Sequence, residues 1–304
     1  MRRGLLIVVG VAALSLVPVA YALLGQHGVK TTRLYERYPA AASAGGTKYF
    51  AWSQNSRAHP SHSDAYLKRG SQPRVKLNTK GFGYLGGIDP PMVAYQQVVR
   101  GNSNIKLYNA DTHIRSNPPS GVNTSAWEWE PSISGEWLLY GRQSNSSSNQ
   151  RVILRNLPTG IETILDESFS FREPGQVNGD YAVWIRCDAS CDVVRRQISP
   201  ETNTVLEEPS ATTYQYGAGV TSTGIVYTAR GGKACGNAKI VRYFGVSDPA
   251  GGTVVADLPN HQDIDNGYVR ENADGSVDFF YNRYLCNDDS VADIYRIHDP
   301  HPGP

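Results

Sequence analysis

The sequence predicts an all-β fold: a six-bladed β-propeller whose blades are four-stranded antiparallel sheets. The first observation is an apolar run ending in an aromatic residue, which recurs at steps of 43, 45, 44, 43 and 54 residues. The final residues of these runs are Trp52, Tyr95, Tyr140, Trp184, Tyr227 and Tyr281. A period of about 40–45 residues with four strands per copy is typical of propeller blades.

A second marker follows each run and has the same period. It is a short apolar segment, for example 104–107, 151–154 and 293–295. The composition agrees with strands and turns, because the chain has 18 Tyr and 30 Gly against 2 Met. Two markers with one period indicate six copies of one structural unit.

The clearest copy runs from Trp127 to Leu165. Four β-rich segments lie at 127–130, 137–140, 151–156 and 160–165, and turn residues separate them. A four-stranded sheet of this size cannot bury its own faces, so we expect it to stack against further copies.

The two ends of the repeat region complement each other. The last copy has no fourth strand after 293–297, whereas an isolated strand is predicted at 31–37. Pairing between them would close the ring and remove an exposed sheet edge. We therefore assign residues 31–299 to the propeller, 23–30 to a tether and 300–304 to a tail.

Residues 1–22 have the pattern of a secretory signal peptide. Arg2 and Arg3 precede an apolar run, and Ala20-Tyr21-Ala22 resembles a cleavage site. An uncleaved anchor is the alternative, since the apolar residues 4–24 are long enough to span a bilayer. Both predict a secreted, periplasmic or membrane-anchored extracytoplasmic protein.

The charge balance argues against nucleic acid as a partner. The chain has 29 basic and 28 acidic residues, and cleavage after Ala22 would remove two arginines and no acid. A nearly neutral surface without basic runs lacks the electrostatic footprint of a nucleic-acid-binding protein.

Four cysteines in an exported chain predict disulfides. Cys187 and Cys191 flank a short hairpin loop, and Cys235 and Cys286 occupy similar loops in consecutive repeats. We expect these two pairings. A metal site is the alternative, although two cysteines four apart without a nearby His are a poor zinc signature.

Aromatic pairs two residues apart precede the apolar runs. A spacing of two places both rings on one face of a strand. They are interpreted either as packing between blades or as a binding platform at the channel mouth for a peptide or a glycan, with the two tryptophans as the best anchors. The pairs are Phe82/Tyr84, Trp127/Trp129, Phe169/Phe171 and Tyr214/Tyr216.

Where a fifth pair is due, the sequence has a polar segment containing His261, Asp263 and Asp265. His261 would give the predicted platform a distinct side. The two aspartates resemble the start of a calcium loop but lack its remaining ligands, and turn formation explains them equally well. No cofactor is predicted, with structural calcium as the alternative.

Few residues suggest catalysis. There is no G-x-S-x-G motif. Glu128 and Glu130 could act as the acid and base of a glycosidase, but residues two apart are expected on the same side of one strand, where they would not flank a bond from different blades.

The repeat resembles that of TolB-like proteins. The segments that carry the resemblance are Ser134-Gly-Glu-Trp-Leu-Leu-Tyr-Gly141 and Asp293-Ile-Tyr-Arg296, and it covers roughly residues 45–297. The resemblance implies a six-bladed propeller exported to the periplasm or cell surface that binds other proteins. TolB itself has a separate N-terminal α/β domain that this sequence lacks.

The sequence thus predicts an exported, non-enzymatic propeller that binds a protein or peptide partner. The alternatives are a carbohydrate-active enzyme that uses channel carboxylates and a structural module without a ligand site.

Overall fold

A computed structural model describes residues 29–35, 42–45, 48–55, 62–206, 213–232, 238–244, 252–258, 267–285 and 288–303. Within these ranges no helix is long and apolar enough to cross a membrane. The strands, in chain order, are β1 (Lys30–Tyr35), β2 (Ala42–Gly45), β3 (Tyr49–Asn55), β4 (Ser63–Arg69), β5 (Val75–Lys76), β6 (Phe82–Asp89), β7 (Met92–Val99), β8 (Asn102–Asn109), β9 (Ile114–Ser116), β10 (Trp127–Ser134), β11 (Trp137–Gln143), β12 (Gln150–Asn156), β13 (Glu162–Ser168), β14 (Arg172–Asn178), β15 (Tyr181–Cys187), β16 (Cys191–Gln197), β17 (Thr202–Leu206), β18 (Thr213–Val220), β19 (Val226–Gly232), β20 (Ala238–Tyr243), β21 (Thr253–Leu258), β22 (Tyr268–Glu271), β23 (Val277–Leu285) and β24 (Asp288–Asp299).

In the described part of the chain these strands form a β-propeller arrangement, which confirms the all-β prediction. Four sheets have four strands each: β2–β5, β6–β9, β10–β13, and β22–β24 with β1. One eight-stranded sheet contains two antiparallel sets, β14–β17 and β18–β21. These two sets meet at a parallel bridge between Cys191 and Tyr214.

The N-terminal strand pairs with the last strand of the chain. β1 runs antiparallel to β24, with Lys30 opposite His298 and Thr32 opposite Arg296. The observed strand is close to the predicted segment 31–37. The last sheet therefore takes its outer strand from the other end of the sequence.

The repeated aromatic residues form the centres of the packed sheets. Each lies in the second strand of its sheet, where neighbouring sheets cover both faces. Their side chains are at most 2% exposed: Trp52, Tyr95, Tyr140, Trp184, Tyr227 and Tyr281. The period in the sequence is therefore the period of the hydrophobic core.

Hydrophobic clusters join successive sheets. Five of them follow the chain from β2–β5 to the last sheet. A further cluster joins Trp52 of β3 with Phe280 of β23 and Ile294 of β24. The last sheet is thus packed against the first.

The innermost strands β2, β6, β10, β14, β18 and β22 line a central channel, and each contacts the next in this order. They approach closely: a Cβ atom on Gly86 of β6 would lie 1.9 Å from the carbonyl oxygen of Pro131 in β10. We call the end of the channel where these strands begin the aromatic end, and the end where they turn into the second strands the turn end.

Candidate functional site

The predicted aromatic pairs occur at the aromatic end. Phe82 and Tyr84 begin β6, and Trp127 and Trp129 begin β10. Tyr214 and Tyr216 lie at the start of β18. Phe169 and Phe171 differ, because they lie in the connection before β14 rather than inside a strand. The structure places the members of two pairs, Phe82/Tyr84 and Trp127/Trp129, in different environments.

Four of these rings are exposed, and they come from three consecutive innermost strands or the connections that lead into them. The exposed fractions are 38% for Tyr84, 49% for Trp127, 76% for Phe169 and 49% for Phe171. Exposed aromatic side chains grouped at one site are typical of interaction surfaces. We call these four residues the aromatic patch.

Trp127 is exposed but fixed. Its indole Nε1 donates a hydrogen bond of 2.8 Å to the carbonyl oxygen of Gly101. Gly101 and Arg100 form the β7–β8 turn with φ values of 79° and 53°, as a two-residue hairpin turn requires. The neighbouring sheet therefore holds one edge of an indole that is still about half exposed.

The other four members of the pairs are half-buried and pack against other groups of the protein. Trp129 lies over Gly141, where a Cβ atom would be 2.2 Å from Cε2 of the indole. The Tyr214 and Tyr216 rings stack on each other with centroids 6.2 Å apart. The Phe82 ring packs against the His62 ring, with the two ring centroids 4.8 Å apart. These residues match the packing interpretation of the pairs.

Glu128 and Glu130 do not lie on one side of β10, contrary to the expectation from their spacing. Glu128 is fully buried, whereas Glu130 lines the channel. Glu130 has a φ of 46°, and the pairing of β10 with β11 shifts register between Trp129 and Ser132. This bulge rotates the strand, so the period of two does not hold across it.

Glu128 belongs to a network of four charges that the sequence analysis did not predict. Its Oε1 accepts hydrogen bonds from Thr124 Oγ1 at 2.7 Å and from Arg142 Nε at 3.3 Å. Arg142 also pairs with Glu162 at 3.0 Å, and Arg155 pairs with Glu162 at 2.8 Å. The four charged residues come from the four strands β10 to β13, and their charges balance.

The two carboxyl groups of this network have opposite pKa shifts. Burial raises the pKa of Glu128, and the bonds from Thr124 and Arg142 offset this only in part. Burial also acts to raise the pKa of Glu162, but hydrogen bonds from Tyr140, Arg142 and Arg155 outweigh it, so that this pKa is lowered. Ionised Glu162 is therefore the better-stabilised anion.

Two side chains of the innermost strands form hydrogen bonds with the backbone of other innermost strands. Tyr268 of β22 accepts a hydrogen bond from the Ile88 amide at 3.0 Å and donates one to the Ile88 carbonyl at 2.6 Å. Gln176 of β14 bonds both the amide and the carbonyl of Val269 in β22. Two cavities share Tyr268 as a wall: one of about 40 Å³ lined by Glu130 and one of about 180 Å³ at the turn end.

The turn end is polar and cross-linked by hydrogen bonds between sheets. Asp89 accepts from the Gly135 amide at 2.6 Å, and Ser134 accepts from the Gly179 amide at 3.1 Å. Glu271 accepts from the Ser222 amide at 2.8 Å. The polar atoms at this end connect one sheet to another.

The predicted disulfide between Cys187 and Cys191 is present and closes the β15–β16 hairpin at the aromatic end. Cys235 and Cys286 lie outside the described residues, as do His261, Asp263, Asp265 and the segment 1–22. Among the residues that the structure covers, no group of three His, Cys, Asp or Glu is arranged to hold a metal ion.

Comparisons with known proteins identify a fold. No family model matches the sequence, and no curated protein matches it. TolB from Acinetobacter baumannii is similar in structure, with a TM-score of 0.56 and 13% identity over 83% of this chain and 64% of that one. A subtype N10 neuraminidase-like protein of A/little yellow-shouldered bat/Guatemala has a TM-score of 0.51 and 10% identity over 90% and 98% of the two chains.

An oligogalacturonate lyase from Vibrio parahaemolyticus has a TM-score of 0.49 and 13% identity. The chain spans less than two thirds of the length of the Acinetobacter protein, and at these identities the likeness concerns the fold alone. The resemblance deduced from the repeat and the similarity found in three dimensions agree: the chain has the β-propeller fold of TolB-like proteins.

Proposed function

We propose that this protein is an exported, non-enzymatic β-propeller that binds a protein or peptide partner at its aromatic end. The observation that carries the proposal is the aromatic patch, Tyr84, Trp127, Phe169 and Phe171, exposed on three neighbouring sheets. Aromatic anchors dominate the binding energy of protein interfaces, and a ring that is already fixed loses little entropy on binding. Trp127, fixed at Gly101, fits this role best.

We also infer that the propeller has six blades in a closed ring. This reading counts β14–β17 and β18–β21 as two blades, and it is supported by the pairing of β1 with β24 and by the packing of Trp52 against Phe280. Deletion of residues 30–35 should expose the edge of β24 and lower the urea midpoint strongly, because a whole strand of backbone hydrogen bonds is lost. An unchanged midpoint would contradict closure by β1.

Extracytoplasmic localisation remains part of the proposal. The disulfide between Cys187 and Cys191 is consistent with an oxidising compartment. Fractionation of cells that produce the full chain, followed by mass measurement of the mature N-terminus, would distinguish cleavage after Ala22 from retention of an anchor.

A glycosidase is the less favoured function. Glu128 is fully buried and bonded to Arg142, so it does not reach a substrate. Glu130 and Glu173 line the channel from different sheets, but the cavity between them holds only about 40 Å³. Ligand pockets typically have about 300–1,000 Å³. The cavity between these carboxylates is therefore much smaller than a typical ligand site, which disfavours a glycosidase.

The test is affinity capture from the native cell envelope with three versions of residues 23–304. The wild type is compared with the double variant Trp127→Ala/Phe171→Ala and with a control, Ile164→Ala, whose side chain is also 49% exposed but lies on the outer strand β13. We expect one captured protein that the double variant loses and the control retains, with a cross-link that maps to the aromatic patch.

Equal capture by all three versions would contradict the proposed site. If no version captures a protein, the module without a ligand site is favoured, and a glycan array would then test the remaining enzymatic alternative. Urea unfolding of the double variant confirms that the loss is not caused by unfolding.

A further inference from the structure

The segment between β9 and β10, residues 117–126, leads directly into Trp127, and buried charges hold it in place. We infer that Arg142 is a positioning residue for Trp127: by bonding this connector it keeps the indole in the orientation that the partner meets. The inference rests on the proposed function where it concerns the partner, but the orientation of Trp127 can be tested without one.

The first step is a set of hydrogen bonds to three successive carbonyl groups. Arg142 Nη2 donates to the carbonyl oxygens of Gly121 at 2.8 Å and Val122 at 2.9 Å. Arg155 Nη2 donates to the carbonyl oxygen of Ser120 at 2.6 Å. The planar fork of an arginine can hold several acceptors at once, which a lysine ammonium does in a less defined geometry. The middle of the connector is therefore attached to β11 and β12.

The local backbone of the connector matches this attachment. Gly121 has a φ of 94°, and a Cβ atom there would lie 3.1 Å from Arg155 Nη1. Val122, the next residue, is fully buried. A side chain at position 121 would strain the backbone and crowd the guanidinium, so glycine allows the carbonyl groups to approach the arginines.

The second step fixes the arginines themselves. Arg142 lies between two carboxylates, Glu128 on β10 and Glu162 on β13. Its guanidinium cannot rotate without losing both ion pairs. Because charge-assisted hydrogen bonds are the stronger ones, this arrangement defines the position of the fork and, with it, the path of the connector.

The third step leads from the connector to the indole. Thr124 donates through its amide and its hydroxyl to Glu128 Oε1, at 3.2 and 2.7 Å. The Ala126 amide donates to Thr124 Oγ1 at 3.0 Å. These bonds determine how the backbone enters β10, and Trp127 is the next residue. Its Nε1 then reaches the Gly101 carbonyl on the neighbouring sheet.

The neighbouring sheet provides a matched control. Arg142 lies opposite Glu128 in the β10–β11 pairing, and Arg186 lies opposite Arg172 in the β14–β15 pairing. Arg186 forms a long ion pair of 3.8 Å with Asp188, whose side chain is 55% exposed. Arg186→Gln therefore changes charge as Arg142→Gln does, at the same strand position, without affecting the connector.

The first measurement is the exchange rate of the Trp127 indole Nε1–H in the full chain, followed by nuclear magnetic resonance. The signal is assigned by its loss in Trp127→Phe. Arg142→Gln should raise the exchange rate about tenfold, the factor that corresponds to one hydrogen bond. Arg186→Gln should leave it unchanged, and Arg142→Lys should give an intermediate rate.

A folded Arg142→Gln variant with the wild-type exchange rate and chemical shift at Trp127 would overturn the inference. Should this variant not fold, Thr124→Ala takes its place, because it removes the hydroxyl link to Glu128 and leaves both arginines intact. An unchanged exchange rate of the Trp127 indole N–H in folded Thr124→Ala would then overturn the inference.

The second measurement uses the protein captured in the affinity experiment. Arg142→Gln should weaken its binding about tenfold although Trp127 is still present. If Trp127→Ala leaves capture unchanged, the proposed binding site fails, while the exchange rate still decides whether Arg142 positions the indole. Loss of binding with unchanged exchange would assign Arg142 a direct contact with the partner and overturn the positioning role.

Discussion

The two ends of the channel use their side chains in different ways. At the turn end, carboxylates and hydroxyls are bonded to amides of the neighbouring sheet, as in the contact between Asp89 and Gly135. At the aromatic end, four rings project into solvent, and the only polar atom of Trp127 is already bonded. The difference indicates that one end stabilises the assembly of sheets while the other is available for binding. Substitutions should therefore affect stability at the first and binding at the second.

Among single substitutions, the largest loss of stability is expected at Gln176, which bonds to the backbone of two other innermost strands. In Gln176→Leu, the amide of Val220 and both polar groups of Val269 lose their partner in the interior. Each buried group left without a hydrogen bond costs about 1–3 kcal/mol, so the free energy of unfolding should fall by more than about 3 kcal/mol. Urea unfolding measures this. A change below about 1 kcal/mol would mean that water replaces the amide.

A smaller loss is expected for Tyr268→Phe. The substitution keeps the ring and removes the hydroxyl that bonds the amide and carbonyl of Ile88. We expect a decrease of about 1–3 kcal/mol in the same assay. The matched control is Trp127→Phe, which removes a hydrogen bond at the aromatic end and should lower the free energy of unfolding by a smaller amount.

The two carboxyl groups of the network that contains Arg142 should respond to pH with opposite signs. The folded pKa of Glu162 is lowered, so this group stabilises the protein above its unfolded pKa and loses that contribution as the pH falls through its folded pKa. The folded pKa of Glu128 is raised, so this group contributes stability below its unfolded pKa and loses that contribution as the pH rises through its folded pKa.

Glu162→Gln should consequently destabilise the protein at pH 7, by about 1–3 kcal/mol, and the difference from wild type should narrow on acidification. The loss in free energy of unfolding caused by Glu128→Gln should be smaller than that caused by Glu162→Gln at pH 7, and it should increase as the pH falls. Unfolding curves between pH 7 and about pH 3, a range that extends below the unfolded carboxyl pKa of about 4.3, measure both differences. Parallel curves for the two variants would contradict the assignment of opposite shifts.

The smallest effect on stability is expected within the aromatic patch. Phe169 is 76% exposed, so Phe169→Ser should change the free energy of unfolding by less than about 0.5 kcal/mol. The same substitution should weaken binding of the captured partner. Destabilisation by more than about 1 kcal/mol would show that this ring contributes to packing. It would contradict the assignment of stability to the turn end and of binding to the aromatic end.

The sequence was sufficient to predict the core because that prediction depends on a period. Tyr140 and Tyr227 recur in step with the blades, and both are fully buried. The same regularity misled the prediction for Glu128 and Glu130, since the positive φ at Glu130 and the register shift break the strand period at that point. A bulge of this kind has no clear signature in a single sequence.

The aromatic pairs illustrate the same limit. Spacing identified Trp127 and Trp129 together, but only the tertiary structure separates a ring held at Gly101 from one packed over Gly141. The contacts of Arg142 were not predictable either, because Glu162 and Gly121 lie about 20 residues away in opposite directions along the chain. Charges that meet across strands give no local pattern.

The hydroxyl of Tyr268 has one more consequence. The side chain of Tyr268 lines both cavities, and its hydroxyl is bonded to Ile88. Tyr268 therefore stands between the cavity at the turn end and the cavity lined by Glu130. A partner segment that entered from the aromatic end would meet Tyr268 before it reached the turn end. A loop is then accommodated there as readily as a free chain terminus, and binding does not require the partner to be threaded through the ring.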